Sequence, residues 1–512
     1  MKTTIIRLFT TSTLLLGCCC FVSADSFDDY LNRKNKEFED AVGAMTNRFD
    51  SARNVYNTRF EKKRAEYNQR FIEYLGRPWQ SYKMEQNRQE KEKPAPDVYK
   101  PIEQVTPIQV IPRKEDITII DNIPQEDIDL TIRDIPQTAS HVFDYYGAQL
   151  KVELTKSEAL QFKVGGSNEK QVAQAMKYLT SSKKFMTLVD NCVALRERYN
   201  MCDWGYVMLT DKMAKSYYGE SNRNESVMLR AFILTQTGYD IRIGSSSAGL
   251  ELLLYIKDTL YNCLRVNLKD RWYYLLTSDG DVNVLKTYKE SYCSEVRACN
   301  MIIDSPQIFV QNQSGVHTCK SGKYAGLQVT AAANKNLIDF YNDYPLCDWV
   351  VYAISGMSNE LSEQVVESLR RQLTGKSEKE KVACILNLLQ TGLKYAYDEH
   401  QFKTERPLFT DEVFYYPGCD CEDHAILFAY LVHRLVGLDV IFLHYKQSCQ
   451  HLTTAVRFND NGVVGDYILF DGVRYVMCDP TIKGIGASIG VQMSECRSEV
   501  PKCYKINFNE NR

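Results

Sequence analysis

YYPGCDCEDHAILFAYLVHRLVG, residues 415–437, decides the reading of this 512-residue chain. The turn Pro417-Gly418 feeds a run whose apolar residues recur at spacings of three and four, which predicts a helix buried on nearly every face. Cys421 falls in its first turn. Unpaired N–H groups and the positive dipole end gather there, and can draw a thiol pKa from about 8.5 toward roughly 3.5–7.5. Asp420, Glu422 and Asp423 suit a helix start but push the thiol the other way, so activation requires an imidazolium nearby.

Downstream, His451 opens HLTTAVRF, whose alternation predicts a strand, and Asp479 follows the strand-like run in RYVMCDPT. A thiolate, an imidazole that carries its proton and a carboxylate that fixes the imidazole tautomer make up a nucleophilic triad. His424, on the thiol's own helix, and His444, in the apolar strand IFLHY, are weaker bases on placement. Asp471 reads as part of a hairpin turn with Gly472. Cys419, Cys421, His424, Cys449 and His451 crowd together without the paired spacing of a structural zinc site, so neither metal nor cofactor is expected.

In this order and with DCEDHA and CDPT as its strongest pieces, the segment 360–490 resembles the transglutaminase-like cysteine hydrolases. The resemblance implies an α+β core related to the papain-like arrangement. Its chemistry would be thiol attack on an amide carbonyl, an acyl-enzyme, and release to water or to an amine. Water makes a peptidase or amidase of peptide or isopeptide bonds, the expected activity, and an amine makes a crosslinking enzyme. It also implies an oxyanion donor upstream of Cys421, for which FYYPG offers Tyr415 and Tyr416. The rival from another class is a noncatalytic binding or scaffold protein. Cys419 would either form a disulfide that shapes the site or join Cys421 in a redox lock.

The run NESVMLRAFILTQTGYDIRI (224–243) repeats the pattern of DHAILFAYLVHRLVGLDVIF (423–442), with Gly238 against Gly437 and Asp240 against Asp439. RWYYLLT then stands where RYVMCDP stands later. Asn222 takes the place of Cys421, and Thr277-Ser278 that of Asp479-Pro480. The expectation is a degenerate α+β copy over 138–320, used for binding or scaffolding, ahead of a catalytic domain over 321–512.

Residues 1–24 read as a signal peptide cleaved after Ala24, in competition with a lipobox reading in which Cys18 carries lipid. Either implies export to a periplasm or cell surface, with a protein or peptide substrate in the envelope. Export permits disulfides among the fourteen cysteines left beyond Cys18, Cys19 and Cys20. Cys496 and Cys503 are spaced for a local bridge or are two buried thiols. Phenylalanines at 27, 38, 49, 60 and 71 repeat every eleven residues, nearly three helical turns, which predicts a long amphipathic helix within 25–86 that self-associates or docks. Prolines break residues 87–137 into an extended linker, whose Ile/Val pairs, as in ITIIDNI and IDLTI, leave room for short strands or for packing along a neighbouring domain. A net charge of −3 offers no electrostatic footprint for nucleic acid.

Overall fold

The computed structural model describes residues 65–88, 108–109, 115–120, 140–277, 282–290, 296–303, 307–447, 449–482 and 488–509. The leader, Cys18 and the phenylalanines at 27, 38, 49 and 60 lie outside the described residues. Residues up to Phe71 group apart from 72–512, which form one compact unit. Residues 65–75 are helical, with the Tyr67 and Phe71 rings stacked at 6.3 Å. Within the 25–86 span the helix ends at the stop that Gly76 and then Pro78 mark in the sequence. The chain then turns into strand at Gln80.

The fold of 72–512 is mixed α+β. In chain order its strands are β1 (Gln80–Lys83), β2 (Glu85–Gln86), β3 (Ile108–Gln109), β4 (Glu115–Ile120), β5 (His141–Tyr145), β6 (Ala148–Val152), β7 (Ile241–Ser246), β8 (Gly249–Tyr255) and β9 (Leu264–Leu268). They continue with β10 (Arg271–Leu275), β11 (Val284–Thr287), β12 (His317–Lys320), β13 (Gln328–Ala331), β14 (Val440–Tyr445), β15 (His451–Val456), β16 (Tyr467–Phe470), β17 (Val473–Met477) and β18 (Lys502–Asn509). Two seven-stranded sheets dominate, ordered β1-β11-β7-β8-β10-β9-β2 and β3-β16-β17-β15-β14-β18-β4. Leaving out the outermost strands, the second order read backwards is the first: β11-β7-β8-β10-β9 corresponds to β18-β14-β15-β17-β16.

The register corresponds as well. Tyr255 N donates to Asp240 O at 2.9 Å, and Arg457 N to Asp439 O at 2.9 Å. Leu276 N donates to Leu252 O at 2.9 Å, and Cys478 N to Thr454 O at 3.0 Å. The loop from β14 to β15 is three residues longer than that from β7 to β8. Helices match too. Taking α1 (Glu169–Ser181), α2 (Asp203–Tyr218), α3 (Arg223–Gln236), α4 (Asn359–Gln372), α5 (Glu378–Gly392) and α6 (Cys421–Val436), α3 packs on α1, α2, β7 and β8, and α6 packs on α4, α5, β14 and β15. Gly238 at φ 88° and Gly437 at φ 76° end the two central helices in the left-handed region that a side chain disfavours.

Both sheets borrow their edges from the N-terminal side. β1 pairs with β11 and β2 with β9, and only Met84 separates them, so the first sheet is closed. Met84 sits inside with Leu253, Val266, Tyr273 and Leu285. In the second sheet β3 runs parallel to β16 and β4 parallel to β18, at opposite edges. The chain from Gln109 to Glu115 can span at most about 21 Å. The edges of a flat seven-stranded sheet lie about 29 Å apart. The second sheet is therefore strongly curled, and part of the expected linker belongs to it.

Candidate active site

Cys421 begins α6, with Asp420 as its N-cap, and the thiol residue is 6% exposed. His451 begins β15 opposite Tyr445, and Asp479 follows β17. All three are buried. His451 Nε2 lies 3.0 Å from Asp479 Oδ2. Burial opposes ionisation of Asp479, but His451 and the hydrogen bonds from Thr481 outweigh it and hold the carboxyl below its usual range. An ionised carboxylate only accepts, so Nε2 carries the proton and Nδ1 is left as the imidazole's basic nitrogen. Because α6 packs on β15, the thiol and the imidazole belong to facing elements.

Further bonds steady the acid. Thr481 donates to Asp479 Oδ1 from N at 3.0 Å and from Oγ1 at 2.6 Å. Gln390 Nε2 on α5 donates to the Asp479 carbonyl at 2.7 Å. The disulfide Cys449–Cys496 anchors the long loop two residues before His451. A local Cys496–Cys503 bridge does not form: Cys503 is a buried free thiol on β18 opposite Leu443. Cys449, held in the disulfide with Cys496, offers no thiolate to a metal.

The rival histidines are placed differently. His424 Nδ1 donates to the Asp420 carbonyl at 2.6 Å and lies 3.5 Å from Cys419 Sγ. Burial pushes it down to about 4, so it is neutral and committed to its own helix start. His444, on β14, is likewise pushed down to about 4 by burial. Burial drives the Cys419 thiol well up, with nearby carboxylates adding to the effect.

Tyr416 gives its hydroxyl to Asn342 Oδ1 at 2.7 Å, and Tyr415 is 36% exposed. Tyr395 and Tyr397 are also near: both are raised by burial first and by proximity to Cys421 next. They lie on the segment beside the nucleophile turn, where Ala396 N donates to Cys419 O at 3.0 Å and Cys419 N to Lys394 O at 3.1 Å. The turn needs its glycine: a Cβ on Gly418 would come within 2.5 Å of Ala396 Cβ.

The same segment brings acids to the site. One oxygen each of Asp398, Glu405, Asp420 and Glu422 lies within 4.8 Å of the others. Asp398 and Asp420 each keep a buried oxygen without a hydrogen-bond partner. Burial and mutual repulsion push Asp398 up to about 10 and Asp420 well above the usual carboxylate range. This hard, all-oxygen donor set fits a divalent cation such as calcium, which takes 6–8 oxygens at about 2.3–2.6 Å. A cation there would let these carboxylates ionise and tie the loop of Asp398 to the start of α6. Sequence reading overlooked the cluster because Asp398 and Glu405 reach it only through the tertiary fold.

In the first sheet the corresponding positions are Asn222 for Cys421, Gly249 for His451 and Thr277 for Asp479. The space is bound up in structure. Glu251, fully buried, accepts from Arg223 Nη2 at 2.7 Å, Thr277 Oγ1 at 2.5 Å and Ser246 Oγ at 2.6 Å. Comparison with known proteins finds no matching family model, curated protein or solved structure.

Proposed function

We propose that this protein is an exported cysteine hydrolase of the transglutaminase-like class, with residues 321–512 forming its catalytic core and 138–320 a degenerate copy that binds or scaffolds. The observation that carries the reading is the buried 3.0 Å bond from His451 Nε2 to Asp479 Oδ2, with His451 on a strand that packs against the helix beginning with Cys421. Cys421, as thiolate, would attack the carbonyl carbon of a peptide or isopeptide bond. The C–S bond forms, the C–N bond breaks, and the His451 imidazolium gives its proton to the departing amine. Water then attacks the thioester while His451 takes its proton, and the acid product leaves with the thiol restored. An amine in place of water would make the protein a crosslinking enzyme. A noncatalytic envelope scaffold is favoured by one observation, the acid cluster that flanks the thiol.

The test is iodoacetamide labelling of the intact chain across pH, with wild type, Cys421→Ala and His451→Ala compared and the adduct mapped by mass spectrometry. Rapid alkylation at Cys421 below neutral pH that fades in His451→Ala is the expected result. A Cys421 that labels no faster than an ordinary buried thiol would sink the enzyme reading in favour of the scaffold.

A further inference from the structure

Asp479 is 2% exposed and yet held in its ionised form. A carboxylate in such surroundings needs its lone pairs occupied. Both bonds to Oδ1 come from one residue, Thr481, across Pro480, whose ring fixes the backbone between them. The main-chain oxygen of Asp479 is held from a different element, by Gln390 Nε2 on α5. Oδ2 is then left to face His451. Acid, backbone and imidazole are thus fixed by two side chains outside the triad.

We propose that Thr481 and Gln390 are positioning residues: by clamping Asp479 through Oδ1 and its carbonyl, they keep the His451 proton on Nε2 and Nδ1 free to serve the thiol. This rests on the triad reading above. With the Thr481 hydroxyl removed, the carboxylate can turn about its Cβ–Cγ bond. An imidazole facing a turned carboxylate samples the tautomer with its proton on Nδ1, which cannot accept the thiol proton. Thr481→Val isolates the effect. It keeps the branched shape and the main-chain N–H bond and removes only the Oγ1 bond. Thr481→Ser restores that bond, and Gln390→Met removes the clamp on the carbonyl alone. The first sheet has no counterpart, since Thr277 stands where Asp479 would.

The experiment is iodoacetamide labelling of Cys421 at neutral pH in the intact wild type and the three variants. It is paired with ¹⁵N-histidine spectra that report which His451 nitrogen is protonated. Thr481→Val should label about tenfold more slowly, as expected for a lost hydrogen bond to a charged group, and show His451 as a mixture of tautomers. Thr481→Ser should recover the wild-type rate and spectrum, and Gln390→Met should fall between. A variant that merely loosened the fold would not be rescued in its tautomer by a hydroxyl. Identical rates and spectra for Thr481→Val and wild type would overturn the clamp alone, provided wild-type labelling depends on His451. Wild-type labelling indifferent to His451 overturns the triad and the clamp together. If Thr481→Val does not fold, the wild-type spectrum decides, because a His451 proton residing on Nδ1 refutes the clamp.

Discussion

The two sheets of this protein share strand order, register and a central helix ended by glycine, but differ in what fills the crevice at the start of that helix. In the first, a guanidinium, a carboxylate and two hydroxyls satisfy one another around Glu251. In the second, a thiol at the helix start, bonded to Glu422 Oε2 at 3.3 Å, stands on a helix that packs against the strand of an imidazole–carboxylate pair, beside a cluster of four acids. Arg223 sits one residue after Asn222 and Glu422 one residue after Cys421, and Ser221 stands where Asp420 does, so charge changes at the helix start help to separate the two pockets. The scaffold depends on apolar spacing and turns; the chemistry depends on a few side chains that the scaffold leaves free to vary.

Exchange across the comparison should give the largest effect. Asp479→Thr, which installs the residue of the first sheet, is expected to slow low-pH alkylation of Cys421 by about a thousandfold, the scale on which loss of an orienting acid is felt. Thr277→Asp should leave that rate unchanged. Next, Glu251→Ala strands Arg223 and removes a hub of buried bonds, at an expected cost of about 3–5 kcal/mol in denaturant unfolding. If Glu251→Ala proved neutral, the first crevice would not be a structural plug. Replacing Cys449 and Cys496 by serine should cost about 2–4 kcal/mol and slow Cys421 labelling, because the extra loop before His451 loses its anchor.

A further effect is acid sensitivity. His424 and His444 sit near 4 in the folded chain and near 6.5 when unfolded. A depressed pKa means that their neutral forms contribute stability in full above about 6.5, and that this is lost as pH falls through about 4. Unfolding midpoints should drop across that window, and His444→Gln should flatten the slope. An unaltered slope would remove His444 from the account.

Much of the second site was legible because its parts are local. The apolar spacing of Ala425 to Val432, the alternation after His451 and the turn at Asp479-Pro480 each announce an element that carries one chemical group. The correspondence of the helix–strand unit at 224–243 with that at 423–442 was readable for the same reason. What escaped depends on distant partners. Cys496 chose Cys449 across the fold over its neighbour in sequence, and Tyr395 comes to the nucleophile turn from a distant segment. Thr481 stood in plain view in CDPT, but its two bonds to Asp479 become visible only when the turn is drawn in space. The Ile/Val pairs of the Pro-rich linker left room for short strands, and one of them, in ITII, does pair with β18, but which sheet would take it could be seen only in the fold.

That borrowed edge bears on the order in which the chain can fold during synthesis. Strand β4 is made long before its partner β18, with Glu115 opposite Tyr504. The first sheet has all its strands by Thr287 and can close while translation continues. The second must hold β4 unpaired in reserve until β18 arrives, a period in which other chains compete for it. A ribosome stalled shortly before Lys502 would therefore carry one finished barrel and one exposed edge.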